Sequence, residues 1–279
     1  MILSYSQLKT YQECPRAWWY KYRKKIKPIA YSKALTEGSV VHEAIELIGK
    51  NNTMSIDMAV EMAVSDVMKG IDNSLLNDDV RKDIDILKST ANVMVSKYLD
   101  TEKDLGATYI KREVPLITRV DDTHYYQCIA DVVYISREGR LVYREIKTKS
   151  RITPAYLESL SISAQTCYAK ELFNFDLIEY VVIKKSELRQ KKEESVEGFV
   201  DRVRDDVHCI IHKIESPAQH DISQITRTAQ QMDQAQSEND CHMQSHSCVS
   251  MTSTCPYLPI CANRQDAQLL YERSSENDK

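Results

Sequence analysis

The spacing of apolar positions along the chain changes twice, and these changes predict where helices give way to strands. Residues 4–24 have a helical pattern that Ser4 or Ser6 could cap. In residues 39–50, apolar side chains recur on one helical face, at Val41, Ala44, Ile45 and Ile48. The pattern stays helical over about 54–100, with breaks near Gly70 and Asn77. The first third of the chain is therefore predicted to be mainly helical.

From about residue 108 the pattern becomes that of β-strands. Three β-branched segments, 108–120, 125–135 and 139–149, predict strands, with a turn at Arg137-Glu138-Gly139. A helix is predicted over 155–173, a short apolar strand over 177–185 and polar helices over 193–236. The segment from 237 onward is irregular and rich in cysteine. This order predicts an α/β fold, with a small mixed sheet, flanking helices and helical additions.

Length and composition favour a single domain over residues 1–279. The chain has only six glycines, and no stretch resembles a flexible linker. Its predicted parts are a helical region at about 38–105, an α/β core at about 106–185 and a helical, Cys-rich tail at about 186–265. No apolar run is long enough to span a bilayer, and the first residues do not resemble a signal peptide. We therefore expect a cytoplasmic protein without a membrane partner.

Net charge does not by itself indicate a nucleic-acid binder. The formal charge is −4, so a DNA-binding surface requires local clustering of cations. One segment without acids, residues 16–27, interleaves aromatic rings with cations that include Arg16, Lys21, Arg23 and Lys24. Cations suit phosphates and rings suit bases, although such a segment is more often a solvated helix face. A second, weaker group consists of Lys184, Lys185, Lys191 and Lys192.

The two central predicted strands carry the main chemical signal. If the turn is centred on residue 138, opposed residues have numbers that sum to about 276. Asp131 then faces Glu145 on one side of the sheet. Lys147 lies two residues further on, so the period of the strand places it on the same side. The register predicts that two carboxylates and an ammonium group converge at one point.

Two opposed carboxylates repel each other, so a cation is expected between them. A hard divalent cation bound by carboxylate oxygens fits best, such as Mg²⁺ or Mn²⁺. It could polarise a phosphate and lower the pKa of a water molecule, while Lys147 orients the water or stabilises developing charge. Glu113, on the preceding strand, could add a further carboxylate. The simpler alternative is an ion network on a solvated face.

Eight cysteines are unexpected in a reducing compartment, where disulfides are rare. Cys128, Cys167 and Cys209 are scattered among apolar neighbours and suit core packing. Four others crowd into the tail, Cys241, Cys248, Cys255 and Cys261, and Cys14 stands alone near the start. Thiolates grouped in this way indicate an iron–sulfur cluster or a structural zinc ion.

The segments Ile-Ala-Asp-Val-Val and Arg-Glu-Ile-Lys-Thr resemble the motifs of the PD-(D/E)XK nuclease superfamily, in its RecB-like branch. Asp131 matches the first acid, and Glu145-Ile146-Lys147 matches the tripeptide. Ala130 stands where the branch usually has glycine. The resemblance implies a restriction-endonuclease-like fold, with a mixed central sheet flanked by helices.

Further motifs agree with this resemblance. Gly38 and His42 resemble the branch's helix with a metal-binding histidine, and Gln165 and Tyr168 resemble its later helix motif. The resemblance implies that the metal is bound by His42, Asp131, Glu145 and the backbone carbonyl of Ile146. It implies a catalytic group of Lys147, Glu145, Asp131, Gln165 and Tyr168.

The N-terminal segment around Ser4, Leu8 and Cys14-Pro15 resembles the iron–sulfur members of the branch. These include AddB-type subunits, CRISPR-associated RecB-like exonucleases and phage-encoded nucleases. The resemblance implies a structural [4Fe–4S] cluster, with zinc as the alternative, on Cys14, Cys248, Cys255 and Cys261. The gap between Cys248 and Cys255 is wider than usual, and Cys241 leaves the fourth ligand open.

The sequence thus predicts a Mg²⁺- or Mn²⁺-dependent deoxyribonuclease, an exonuclease that acts on DNA ends or single strands. A helicase or recombination protein is a candidate partner. The alternative is a non-catalytic DNA-binding or assembly module, whose fold is stabilised by an iron–sulfur cluster or by zinc. The sequence leaves four properties open: exonuclease or endonuclease mode, digestion polarity, strand preference and oligomeric state.

Overall fold

The computed structural model describes residues 1–28, 33–68, 78–103, 106–237, 240–249 and 254–273. The helices are α1 (Tyr5–Glu13), α2 (Pro15–Trp18), α3 (Lys33–Lys50), α4 (Ile56–Met68), α5 (Asp78–Lys103), α6 (Pro154–Leu160), α7 (Ala164–Phe173), α8 (Val196–Asp206), α9 (Ser223–Ser237) and α10 (Leu258–Cys261). A π-helical turn covers Trp19–Arg23, and 3₁₀ turns cover Ser245–Ser247 and Ala267–Leu270. The strands are β1 (Ile2–Ser4), β2 (Ile26–Pro28), β3 (Tyr109–Arg119), β4 (Tyr125–Ile135), β5 (Leu141–Lys149), β6 (Leu177–Lys184), β7 (His208–Ile214) and β8 (Tyr271–Arg273).

The chain divides into two compact units. Unit 1 consists of Met1–Ala30, Ile117–Cys128 and Asp221–Lys279, and unit 2 consists of Tyr31–Leu116 and Ile129–His220. The single domain expected from the sequence stays a prediction. In the part of the chain that the structure describes, no helix combines the length and the apolar character needed to cross a bilayer.

Unit 2 is built on a mixed sheet with the strand order β4-β5-β6-β7, and β3 pairs with β4. β4 and β5 are antiparallel, β5 and β6 are parallel, and β6 and β7 are antiparallel. Because a tight turn cannot join parallel strands, the chain passes from β5 to β6 through α6 and α7. This mixed sheet flanked by helices confirms the α/β fold class predicted from the sequence.

The helices α3, α4, α5 and α8 share one apolar core with the sheet. The fully buried members include Val40, Ala44, Val60, Ala91, Val132, Val142, Val181 and Val203. Seven of the eight residues of β6 are buried, which is typical of a central strand covered on both faces. This core fixes β5 and β6, the strands that the candidate site needs.

A buried ion pair lies on the core-facing side of β5. Arg144 is 0% exposed, and its Nε donates to the Glu179 carboxylate at 2.6 Å. Tyr134 donates its hydroxyl to the same carboxylate at 3.1 Å. A buried charge is tolerated when it is paired and hydrogen-bonded, so these three side chains depend on one another.

In unit 1, β1 runs parallel to the first residues of β4, with Leu3 paired to Tyr126. Ser4 caps α1 by accepting a hydrogen bond from the backbone N of Gln7, which confirms one of the two predicted caps. α1 contacts α9, where the Tyr11 hydroxyl donates to the Gln231 carbonyl at 3.0 Å. These contacts tie the N-terminal helix to a helix from the C-terminal part of the chain.

His124 forms a second polar link within unit 1. Its side chain is nearly inaccessible, with Nδ1 2.8 Å from Asp121 and Nε2 2.9 Å from Asp233. Burial alone would raise the pKa of Asp121, but hydrogen bonds from Thr123 and His124 lower it to about 2. The Asp121 carboxylate therefore stays charged beside the imidazole, and His124 links the β3–β4 turn to α9 through Asp233.

Three sequence predictions of helix were wrong in part. The predicted helix over 4–24 is interrupted at Cys14, because a residue before proline is disfavoured in a helix, and helical structure resumes as α2 and the π-helical turn up to Arg23. The predicted helix over 155–173 is two helices, separated at 161–163. Residues 193–236 contain a strand, β7, because its β-branched residues complete the sheet beside β6. The predicted breaks near Gly70 and Asn77 lie outside the described residues.

The Arg144–Glu179 pair generates a stability prediction. Arg144→Ala is expected to lower the free energy of unfolding by about 3–5 kcal/mol, because Glu179 stays buried without its closest cation and keeps only Lys213, an exposed lysine 3.8 Å away. The double variant Arg144→Met/Glu179→Leu removes both charges and should recover much of that loss. Urea unfolding followed by far-UV circular dichroism measures both. Equal losses in the single and double variants would contradict the assigned role of the pair.

Candidate active site

The β4–β5 hairpin has the register that the turn predicted. Paired residues run from Ile135–Leu141 to Val132–Arg144, and every pair of numbers sums to 276. At the next position, the Asp131 carboxylate accepts a hydrogen bond from the backbone N of Ile146 at 2.6 Å. Asp131 is thereby fixed against β5, one step from Glu145.

The Glu145 carboxylate is bound by several side chains of the site. It is 2% exposed, and the Tyr143 hydroxyl donates to one of its oxygens. The Lys147 ammonium forms an ion pair with the other oxygen, which also accepts from the Gln165 side-chain amide at 3.2 Å. The three strand residues follow the period of two, so Tyr143, Glu145 and Lys147 share one face of β5.

The electrostatics of Asp131 show the cost of placing two carboxylates together. Burial raises its pKa well above the usual value, and the neighbouring Glu145 raises it further. The Ile146 N–H and the Lys147 ammonium act in the opposite direction. Lys147 has a raised pKa through its attraction to Glu145 and Asp131, although burial opposes that shift. The lysine therefore supplies one positive charge to a site whose two carboxylates favour a further cation.

His42 on α3 lies beside the pair of carboxylates. Its Nδ1 is 3.9 Å from an oxygen of Asp131. Burial lowers the pKa of the imidazole, while Glu145 and a hydrogen bond to the Ile146 backbone raise it. A lowered pKa favours the neutral imidazole, which is the form that binds metals.

Glu113 on β3 belongs to the same acidic neighbourhood. Its φ of 46° is unusual for a non-glycine residue within a strand, and such strained positions often occur at functional sites. Burial, together with Glu46 and Glu145, raises its pKa to about 7. Glu46 was missed in the sequence, although it lies one helical turn from His42 on α3.

The donors at this site fit a divalent cation by their chemistry. Carboxylate oxygens from Asp131, Glu145 and Glu113 and an imidazole from His42 are suitable ligands for Mg²⁺ or Mn²⁺. Within the described residues, no three His, Cys, Asp or Glu side chains are arranged so that they could hold a metal ion directly. Lys147, Tyr143 and Gln165 occupy the Glu145 carboxylate instead, so a cation would have to exchange with some of these partners.

Tyrosines border the site in a way that the sequence did not indicate. Tyr180 on β6 exchanges a hydrogen bond with Thr166 at 2.7 Å, and burial raises its pKa to about 12, with Glu145 nearby. Burial raises the pKa of Tyr156 on α6; the nearby Lys147 lowers this pKa and Glu145 raises it. Tyr168, predicted as a member of the site, packs edge-on against His220 at 5.6 Å between centroids. Tyr143 could have been found, because it precedes Glu145 by two residues.

The cysteines near the two ends of the chain, Cys14, Cys241, Cys248, Cys255 and Cys261, belong to unit 1 and have two kinds of surroundings. Burial raises the pKa of Cys261, and the thiols of Cys255, Cys14 and Cys248 raise it further. The pKa of Cys255 is likewise raised by burial and by Cys14 and Cys248. Cys14 and Cys248 therefore lie near Cys255 and Cys261, and these four are the cysteines that the resemblance implied. Within the described residues, no three of these thiols are arranged so that they could hold a metal ion directly.

Cys241 has different surroundings. Its sulfur lies 4.0 Å from the carbonyl oxygen of Ala235. Burial raises its pKa, whereas the guanidinium of Arg16 lowers it. Arg16 also donates from Nε to the Cys241 carbonyl at 2.5 Å, so this predicted DNA-binding cation anchors the cysteine segment.

Three further cations of the segment 16–27, namely Lys21, Arg23 and Lys24, are exposed and lie against aromatic rings. Lys21 is 5.1 Å from the ring of Tyr22, and Lys24 is 5.3 Å from the ring of Trp19. Arg23 lies 5.9 Å from the ring of the buried Trp18. The segment therefore presents cations that are held in place by rings, and Trp18 serves the core.

Three solved structures are similar to the chain at low identity. A crystal structure of SSO0001 shares 16% identity at a TM-score of 0.44, covering 94% of this chain and 86% of that one. A phage-related exonuclease from Haemophilus somnus 129PT shares 12% identity at a TM-score of 0.28, covering 71% and 90%. The protein VC1899 from Vibrio cholerae shares 14% identity at a TM-score of 0.24, covering 87% and 59%. Similarities this distant carry no argument about activity.

The family comparison is more informative. No curated protein sequence matches the chain. A family model described as the PD-(D/E)XK nuclease superfamily matches residues 2–262, which include the hairpin, His42 and the four grouped cysteines. Because this match spans nearly the whole chain, the protein belongs to the PD-(D/E)XK nuclease superfamily.

Proposed function

We propose that this protein is a metal-dependent DNA nuclease that hydrolyses phosphodiester bonds at DNA ends or in single strands. The observation that carries the proposal is the Glu145 carboxylate, which contacts both Lys147 and Gln165 one step from Asp131. A solvated ion network would leave such charges exposed. Here Glu145 is buried, and the cost of burying it is understandable if the site performs chemistry.

The roles of the residues follow from their contacts. Asp131, Glu145, Glu113, His42 and the Ile146 carbonyl would hold a divalent cation. When bound, such a cation would supply Lewis-acid polarisation of a phosphate oxygen and lower the pKa of water. Lys147 stabilises negative charge that develops on the phosphate, because its ammonium group already lies beside the Glu145 carboxylate on this face of β5. Gln165 keeps Glu145 oriented, and Tyr168 acts through the packing of α7.

We also propose that Cys14, Cys248, Cys255 and Cys261 bind a structural [4Fe–4S] cluster, with zinc as the alternative. The set is supported because the Cys14 and Cys248 thiols raise the pKa values of Cys255 and Cys261. Cys241 is the weaker candidate because its neighbours are Arg16 and Ala235. Four thiolates suit either metal centre. The centre would link the N-terminal and C-terminal parts of unit 1.

Lys21, Arg23 and Lys24 are proposed to contact DNA. Their exposure and their positions against aromatic rings support this role, since cations bind phosphates and rings stack on bases. Arg16 contributes more through the Cys241 carbonyl, which it binds directly. A helicase or recombination protein remains a proposed partner, and a single domain remains the proposed organisation.

The proposed activity is tested with Lys147→Ala. We expect the wild-type protein with Mn²⁺ to cleave labelled DNA, and the variant to be slower by about 10²–10³-fold, because a charge-stabilising group is lost. Single- and double-stranded substrates labelled at the 5′ or 3′ end also give the strand preference and the polarity. Lys82→Ala, an exposed lysine on α5, is the matched control. Equal residual cleavage by wild type and Lys147→Ala would contradict the mechanism, and binding without cleavage would favour the assembly module.

Metal binding is tested without any turnover. A cation that binds the folded state raises its stability by mass action. We therefore expect Mn²⁺ to raise the thermal unfolding midpoint of the wild-type protein over that in EDTA, and Asp131→Asn to abolish most of this rise. Asp122→Asn, at a fully exposed carboxylate, should keep it. An unchanged rise in Asp131→Asn would place the metal elsewhere.

The cluster proposal distinguishes two neighbouring cysteines. Protein purified anaerobically should be brown and contain iron and sulfide, which are lost in Cys248→Ser and retained in Cys241→Ser. The expectation follows because Cys248, with Cys14 and Cys255, raises the pKa of Cys261 beyond the effect of burial. If the wild-type protein is colourless and contains zinc, the same four cysteines would bind zinc and the iron–sulfur cluster would be wrong. Loss of metal in Cys241→Ser alone would show that the ligand set is wrong.

A further inference from the structure

Strand β5 carries another cation on the face of the candidate site, at Lys149. Residues two apart on a strand point to the same side and lie about 6–7 Å apart. Lys149 thus follows Lys147 at a spacing close to that of successive phosphates in a single nucleic-acid strand. Lys147 is paired with Glu145. Lys149 is exposed, and among the described residues no carboxylate forms an ion pair with it.

An aromatic ring is fixed next to this lysine. The Lys149 ammonium lies 5.0 Å from the centroid of the Tyr156 ring. The start of α6 sets the position of the tyrosine, because Pro154 begins the helix and the Thr153 hydroxyl accepts from the Tyr156 backbone N at 3.1 Å. Tyr156 is half-buried rather than packed into the core. The ring therefore keeps accessible surface beside an unpaired cation.

The neighbouring lysines on and after β6 have carboxylate partners. Lys184 pairs with Asp206 at 2.5 Å, and Lys185 pairs with Glu37 at 3.0 Å. Their charges are thus balanced by neighbouring carboxylates, although the sequence grouped them as a basic patch. Lys149 differs because its contact is an aromatic ring, which stabilises a cation without neutralising it.

On the basis of the proposed nuclease function, we propose that Lys149 and Tyr156 form a subsite for the nucleotide next to the scissile phosphate of a single DNA strand. Lys149 binds the phosphate of this nucleotide, and the Tyr156 ring contacts its base. A ring can stack on a base only when that base is unpaired and accessible, and stacking tolerates any base. The subsite would therefore favour unpaired strands over duplex DNA without selecting a sequence.

The binding test uses the full chain with Lys147→Ala in EDTA, so that the DNA stays intact, and measures fluorescence anisotropy of labelled single strands and duplexes. Adding Lys149→Met should reduce the slope of log affinity against log salt by about 0.7, the value for one phosphate contact. Adding Tyr156→Ala should weaken single-strand binding about tenfold, with little change for duplex, whereas Tyr156→Phe should keep the affinity. Lys82→Met is the control for loss of one exposed lysine.

Abasic substitution identifies the contact with the base. Moving one abasic nucleotide along the strand should reveal a position that weakens binding to the Tyr156-containing protein and does not weaken binding to Tyr156→Ala further. An unchanged salt slope in Lys149→Met, or equal losses of single-strand and duplex binding in Tyr156→Ala, would overturn the subsite. These results do not depend on cleavage. An inactive wild-type protein with the expected binding pattern would overturn the nuclease proposal and leave Lys149 and Tyr156 as a binding subsite for one nucleotide of a single strand.

Discussion

The hydrogen bond from the Ile146 backbone to the Asp131 carboxylate sets the geometry on which the site depends. It follows directly after the last backbone pair of the β4–β5 hairpin, Val132 with Arg144, so a side chain continues the contact between the strands. This places Asp131 beside Glu145 inside the protein, where two carboxylates repel each other strongly. The positive charge of Lys147 offsets part of that repulsion, which leaves the site with a net demand for a cation.

The two faces of β5 depend on the same register. On one face Arg144 is paired with Glu179 against the core, and on the other Glu145 is paired with Lys147. A slip of one residue would exchange the faces, leaving Arg144 at the site and Glu145 among apolar side chains. Charges on both sides of a buried strand therefore specify its register more strongly than apolar residues would, since each unpaired charge would cost several kcal/mol.

Local rules allowed the hairpin to be predicted, and non-local contacts explain what was missed. A short turn and a period of two fix the relation of Asp131 to Glu145, so their proximity could be counted from the sequence. Tyr180 and Glu46 come from β6 and α3, and their positions depend on how those elements pack. β7 was predicted as helix for the same reason, because its strand form depends on pairing with β6.

A lysine or arginine attracts a nucleic acid only if no nearby carboxylate neutralises it, and the sequence does not show which carboxylates are nearby. Lys184 and Lys185 formed a basic pair in the sequence, yet each has a carboxylate partner in the structure. Lys149 was not part of either basic group in the sequence, yet it is exposed and has an aromatic contact. Surface potential arises from charge that is not balanced nearby, so Lys149 contributes more of it than the paired lysines. A chain with a net charge of −4 can therefore present a local attraction for phosphate beside a buried acidic site.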